Sequence, residues 1–275
     1  MVQWRQVIRD LHEESWGFDW ATHLAELNAR LELAGPDAFG LPPGLPPAWV
    51  VGDLDALAAG EWVLVVSLNQ ARREDDEGWH VAQQYTSQSY WDHWRFLNRD
   101  WWEPRFYRPL VRLAATALGL SVDPDDEAAF ATTRMIFVEL CPYPSRQFAL
   151  AGPTVEQLAV DDLGFRTAAI IRRLLMEEAA PGAVLVNGIA AVSEFERLHG
   201  GQVDLTELRY PSVNGTRSLR HWEGVHGSTH GAVPVVGFPF LRKPSTHNSY
   251  ADIEELGGRV RELRARAQQG ERSRR

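Results

Sequence analysis

Four short segments hold the residues whose types and positions could do chemistry. The first is VVSLNQAR, where Asn69 stands just past an apolar run. A side-chain amide there can hold a water or a substrate oxygen, although Asn is also a common turn residue. The second is VELCPYPSR, where Glu139 lies near the end of another apolar run. A buried carboxylate needs a partner. Either one of the many arginines pairs with it, or it accepts from an amino group at the bottom of a pocket. Pro142 and Pro144 are expected to stiffen the loop that follows. The third is VLVNGIAA, in which Gly188 either lets a ligand approach the backbone or makes a tight strand–helix turn. The fourth is the run Lys243, Ser245, Thr246, His247, Asn248 and Ser249. It can offer N–H groups, hydroxyls and a cation to a phosphate at a helix N-terminus. Ser249 also suits a helix cap, with Asp252 three residues on. His221, His226 and His230, in HWEGVHGSTH, read as a Gly-rich loop without zinc-motif spacing, and no metal is expected.

Each segment follows a run of strand length. Trp62–Leu68 is a continuous apolar run, as strands covered on both faces are, and Arg134–Leu140, Ala183–Val186 and Val233–Gly237 read as further buried strands. Helical spacing marks residues 19–34, 104–119, 162–180, Ala190–Leu198 and Asp252–Ala267. A Pro/Gly loop, GPDAFGLPPGLPP, stops the first of these. Strands that alternate with helices imply βαβ units and a mostly parallel sheet. Ligands of such sheets sit beyond the carboxyl ends of the strands. The segments Ser67–Ala71, Glu139–Arg146, Asn187–Ala191 and Phe238–Ser249 should therefore converge on one crevice.

Composition narrows the classes. The 275 residues are 44% hydrophobic and 24% charged, as in an ordinary globular chain. No apolar run is long enough for a membrane span, and MVQWRQVIRDLHEESW has no apolar signal core, so a cytoplasmic protein is expected. A lone cysteine, Cys141, forbids an internal disulfide and any all-cysteine metal site. The net charge of -9 argues against a non-specific nucleic-acid coat protein. Seven Arg and two Glu between Arg259 and Arg275 make that end basic, read as a solvated helix end or as a phosphate contact. Of the 28 basic residues only Lys243 is lysine. Ten of the 29 residues from Trp79 to Tyr107 are aromatic, enough for plain core and for stacking on a base. Residues 71–103 are long for a connection in a compact sheet, and such insertions are often lids.

The four strand ends resemble those of the uracil-DNA glycosylase superfamily. Its first motif reads Gly-x-Asn-Pro-Gly in the mismatch-specific and single-strand-selective branches. Here Ser67-Leu68-Asn69-Gln70-Ala71 keeps the Asn. Its last motif, His-Pro-Ser-Pro, is similar to Lys243-Pro244-Ser245-Thr246, with the lysine in place of the histidine. Arg105-Phe106-Tyr107 is similar to its Arg-Phe-Trp helix start, and Asn187-Gly188-Ile189-Ala190 to its Gly-x-Ala turn. The resemblance spans roughly residues 60–265, and Cys141 standing alone excludes the four-cysteine iron–sulfur branches.

This resemblance implies an α/β fold of three layers, αβα, around a central, mostly parallel four-stranded sheet. Residues 1–60 would form a helical extension packed on the core, 61–265 the glycosylase-like domain with the aromatic insertion 71–103, and 266–275 a basic tail. It implies a monofunctional DNA glycosylase that flips out a base and hydrolyses its N-glycosidic bond. DNA is the expected partner, without membrane, protein partner, metal or organic cofactor. Asn69 would position the attacking water and Lys243 would stabilise the anionic leaving base. Phe106 or Tyr107 would stack on the base. Ser245, Thr246, His247 and Asn248 would hold phosphates.

Glu139 stands where many members of that superfamily carry an Asn that reads uracil. An ionised carboxylate repels the O4 of uracil and suits the N4 amino group of cytosine. A raised pKa would let it donate a proton toward N3 instead. Since a cell must keep its own cytosine, the expected substrate is a modified cytosine, such as the hydroxymethylated or glucosylated base of some phage DNA. The alternatives are an inactive DNA-binding module, a uracil or mismatch repair glycosylase, a hydrolase of free nucleosides or nucleotides, and an unrelated doubly wound protein.

Overall fold

The computed structural model describes residues 3–71, 80, 82–95, 104–241 and 249–272. Nine α-helices and six strands lie among them. The helices are α1 (Gln3–Ser15), α2 (Trp20–Arg30), α3 (Ser87–Arg95), α4 (Pro104–Leu118), α5 (Glu127–Arg134), α6 (Gly152–Asp161), α7 (Leu163–Glu177), α8 (Ile189–Leu198) and α9 (Tyr250–Arg272). The strands are β1 (Val63–Ala71), β2 (Met135–Ser145), β3 (Ala183–Asn187), β4 (Thr206–Pro211), β5 (Ser218–Ser228) and β6 (Gly231–Phe238).

The strands form one mixed sheet in the order β2-β1-β3-β6-β5-β4. The four apolar runs are its parallel part, since β1 pairs in parallel with β2 and β3, and β3 with β6. The expectation of four strands is corrected to six, because β5 and β4 continue the sheet antiparallel to β6. His221 and His226 therefore lie in strand β5, not in a Gly-rich loop, and His230 lies in the turn that follows it. Glycine has a steric use in it, because a Cβ on Gly224 would stand 2.5–3 Å from Asp204 O, at 2.6 Å.

Alternation along the strands divides the core into two layers. Leu64, Val66, Ile136, Val138, Val184 and Val186 face one layer, which also holds Trp4, Ile8 and Trp20 from α1 and α2 and Phe165 and Ile171 from α7. Val63, Val65, Met135, Phe137, Ala183 and Leu185 face the other, with Leu110 and Leu113 from α4 and Ile253, Leu256 and Val260 from α9. A smaller cluster joins Tyr90 and Trp94 of α3 to Leu45. These two aromatics of the 71–103 segment are core, and Tyr90 Oη donates to Pro46 O at 3.0 Å. Trp79, Phe96, Trp101 and Trp102 lie outside the described residues.

Two further expectations are corrected. Pro142 and Pro144 lie within β2, which runs on to Ser145. The strand is at the edge of the sheet, where a residue without an N–H is tolerated. The last helix runs past Ala267 to Arg272, so the first part of the expected tail is helical. Three of its arginines are used within the fold. Arg264 donates to Gly60 O at 2.6 Å, Arg266 pairs with Glu223 at 3.3 Å, and Arg259 pairs with Glu255 and lies over the Tyr210 ring. Ser249 does cap α9, accepting from Asp252 N at 3.1 Å, while Asp252 Oδ1 accepts from Val213 N at 2.8 Å.

One polar junction fastens the N-terminal helices to the sheet. Asp162 caps α7 by accepting from Phe165 N at 3.0 Å. The same carboxylate accepts from Tyr143 Oη of β2 at 2.7 Å and meets His23 Nε2 of α2 at 2.9 Å. Replacing it removes a cap worth about 1 kcal/mol. It also strips a buried hydroxyl of its acceptor, which costs roughly 1–3 kcal/mol. Asp162→Ala is expected to lower the unfolding free energy by about 3 kcal/mol in a denaturant titration. Asp162→Asn keeps the cap acceptor and should lose less.

Candidate functional site

Parallel pairing brings three strand ends level. Ser67 of β1 is opposite Glu139 of β2. Val66 is opposite Val186 of β3, so Asn187 stands level with Ser67 on its other side. By alternation Ser67, Glu139 and Asn187 all face the layer of α4 and α9, and so does Asn69. Helix α4 brings Phe106 and Tyr107 to this face. The Tyr107 ring meets Phe137 edge-on at 5.5 Å, and Phe106 lies 5.8 Å from Phe240, just after β6. Of the residues singled out in the sequence, Asn69, Glu139, Phe106 and Tyr107 therefore share one face at the carboxyl ends of the strands. Lys243, Ser245, Thr246, His247 and Asn248 lie outside the described residues.

The orientation of the Asn69 amide follows from its neighbour. Ser145 Oγ donates its single proton to Gln147 O at 2.8 Å. It must then accept at 2.8 Å from Asn69 Nδ2. The relay holds the amide nitrogen against β2 and leaves the carbonyl oxygen as the acceptor for a water or a hydroxyl.

Glu139 has the most altered chemistry of the group. The residue as a whole is partly exposed, yet its Oε2 is closed off from solvent and has no hydrogen-bond partner. Burial alone pushes the carboxyl up to about 8. No neighbouring charge enters into that shift. Among the described residues no arginine pairs with the carboxyl, and a raised value is the condition under which the sequence reading has Glu139 donate a proton. A neutral carboxyl both donates and accepts. It can therefore hold an amidine-like edge, with one ring nitrogen and one amino group.

Behind Glu139, on the opposite face of β2, is Arg172 of α7. Its Nη1 donates to Glu139 O at 3.0 Å and to Leu140 O at 3.3 Å. The residue is only 1% exposed, and burial lowers its guanidinium to about 10. It satisfies main-chain carbonyls of an edge strand and so fixes the backbone from which Glu139 projects.

Asn187, which the sequence reading places at the crevice only as part of a turn, has a polar side chain of its own there. Its Oδ1 accepts from Leu241 N at 3.2 Å, while Nδ2 is buried and unpartnered. Gly188 next to it has φ of +113°, a conformation that glycine adopts and other residues rarely do, and its N–H donates to Phe238 O at 2.8 Å. The glycine thus makes the sharp turn into α8. The histidines of β5 lie elsewhere. His221 binds Glu223 at 2.9 Å and packs on Tyr210, and His226, five residues on, faces the other layer. Among the described residues no group of three or more His, Cys, Asp or Glu side chains is placed to hold a metal ion.

The raised carboxyl has a consequence for stability. Between the ordinary value of 4.5 and about 8, the folded chain keeps a proton that the unfolded chain has lost. Stability therefore falls as pH rises through this window. Glu139→Gln removes that slope. Allowing for the partial solvent access of the residue, the variant should gain on the order of 2 kcal/mol over the parent by the alkaline end of the window, measured as unfolding free energy against pH.

Compared with known proteins, the chain matches no protein-family model, and no curated protein is significantly similar to it in sequence.

Proposed function

We propose that this protein is a monofunctional DNA glycosylase that removes a cytosine-type base. The observation that carries the reading is Glu139, whose Oε2 is closed off from solvent without a partner and whose carboxyl burial raises to about 8, level with Asn187 and on the same face as Asn69. The order β2-β1-β3-β6 of the four parallel strands, with the motif-like residues at their carboxyl ends, supports a uracil-DNA glycosylase-like core extended by the β4–β5 hairpin. A modified cytosine remains the preferred substrate, because ordinary cytosine cannot be excised from the cell's own genome.

The neutral Glu139 donates to N3 of the flipped base and accepts from its N4 amino group. This is a closer match than an ionised carboxylate, which could only accept. Phe106, which packs on Phe240, would stack on the base. The C1′–N1 bond breaks with its electron pair leaving on the base. The proton of Glu139 moves to N3 as that charge develops. A water bound to Asn69 Oδ1 supplies the hydroxyl to C1′, and its other proton passes to solvent and returns to Glu139. Asn69 cannot act as a base, so the leaving group must be activated first. A positioned acid of this kind is worth about 10²–10⁴-fold.

A second reading is a hydrolase of free nucleosides or nucleotides. The net charge of -9 favours it, as does the use of Arg259, Arg264 and Arg266 within the fold rather than on a phosphate backbone. Activity that rises with the length of the nucleic acid selects the DNA enzyme, and activity on mononucleosides selects the other.

The test is incubation with DNA carrying uracil, cytosine, hydroxymethylcytosine or glucosylated hydroxymethylcytosine, followed by alkali to cleave abasic sites. Cleavage at modified cytosine is expected, and cleavage at uracil alone contradicts the reading of Glu139. Activity should fall as pH rises through about 8, where the acid is lost. Glu139→Gln should be slower and lose that limb of the profile. Asn69→Ala should cost about 100-fold or more in rate.

A further inference from the structure

Asn187 carries an unexplained donor. The side chain is 2% exposed, its Oδ1 is held by Leu241 N at 3.2 Å, and its Nδ2 has no partner. Buried polar groups are nearly always hydrogen-bonded, and an orphaned donor costs about 1–3 kcal/mol. The tie to Leu241 explains the carbonyl end of the amide and the turn after β6, but not the nitrogen. Glu139 Oε2 is orphaned in the same way on the other side of Ser67. The two strands that bear them flank β1, so their backbones are separated by about 10 Å, twice the interstrand spacing. Both side chains leave the same face of the sheet, and in the row between them stands the small side chain of Ser67. A small ring with one polar group toward each side can lie between them.

We propose that Asn187 is the second base-contacting residue of the site, its Nδ2 donating to the ring carbonyl oxygen of a base whose amino-bearing edge is held by Glu139. The proposal rests on the cytosine-type reading of the crevice and extends it to a second recognition element. The ligand class is a pyrimidine with a carbonyl and an amino group on alternate ring carbons. Bond cleavage leaves negative charge on that carbonyl oxygen, so the contact strengthens as the base departs. Uracil satisfies the amide donor equally well, and selection between the two bases falls to Glu139.

Two small probes separate this role from a structural one. 1-Methylcytosine carries both the amino edge and the carbonyl, whereas 4-aminopyrimidine keeps the amino edge and lacks the carbonyl. Binding is followed by the side-chain amide resonances of Asn187 in the full-length protein and by titration. The expected result is that 1-methylcytosine shifts those resonances and 4-aminopyrimidine does not. Asn187→Asp keeps an oxygen to accept from Leu241 N and replaces the donor. It should weaken 1-methylcytosine about tenfold or more and leave 4-aminopyrimidine unchanged. Equal loss for both probes, no loss for either, or no binding of 1-methylcytosine to the parent protein would overturn the proposal. Base release from DNA is scored separately. If the parent protein releases no base yet seats 1-methylcytosine on Asn187, the glycosylase reading fails and the contact stands.

Discussion

Parallel strands in register set the last side chains of neighbouring strands level with one another, and the rest of the site depends on that constraint. Pairing of Ser67 with Glu139 and of Val66 with Val186 leaves Glu139, Ser67 and Asn187 in one row across β2, β1 and β3. A shift of one residue in any of these strands would turn its polar side chain into the opposite apolar layer. The buried runs before them prevent this, because Val63, Val65, Ala183 and Leu185 must face α4 and α9 while Leu64, Val66, Val184 and Val186 must face α7 and α8. Placement of the polar row is thus a by-product of core packing.

Within that row the electrostatics are set by burial rather than by ion pairing. Glu139 is raised with no charged neighbour contributing, and Arg172 acts on the backbone from the other face of the strand. The arrangement separates two tasks. The buried cation satisfies the carbonyls of an edge strand, while the carboxyl stays neutral and able to donate. Among the described residues the polar row of Glu139, Ser67 and Asn187 carries no cation, and with its proton on Glu139 it suits an uncharged heterocycle.

Legibility in the sequence followed hydrophobic pattern closely. The four parallel strands are readable because each contains a run of buried apolar residues of strand length. Strand β4 was not, since TELRYP is mostly exposed and lies at the far edge of the sheet. Strand β5 was hidden by Gly224 and Gly227, which read as loop residues. The prolines of β2 also pointed to a loop, and only the edge position of the strand reconciles them with pairing. In the site, Asn69 and Glu139 stood out as polar residues ending apolar runs. Asn187 ends such a run as well, but it was read as part of a turn, and an orphaned Nδ2 shows only once its surroundings are known. Arg172 carried a signal that could have been used. It falls at helical spacing with Phe165, Ala168 and Leu175 on the buried face of α7, where a charge must have an acceptor waiting.

The claim on which the account turns is that Glu139 is neutral at the pH of function. A carbon NMR titration of the side-chain carboxyls measures this directly, with Glu139→Gln assigning the resonance. The account predicts a midpoint of about 8, well above the ordinary value of 4.5. A midpoint at the ordinary value would mean that the carboxyl is ionised and solvated, and the reading of the crevice as a site for an amino-bearing base with a proton to receive would be contradicted.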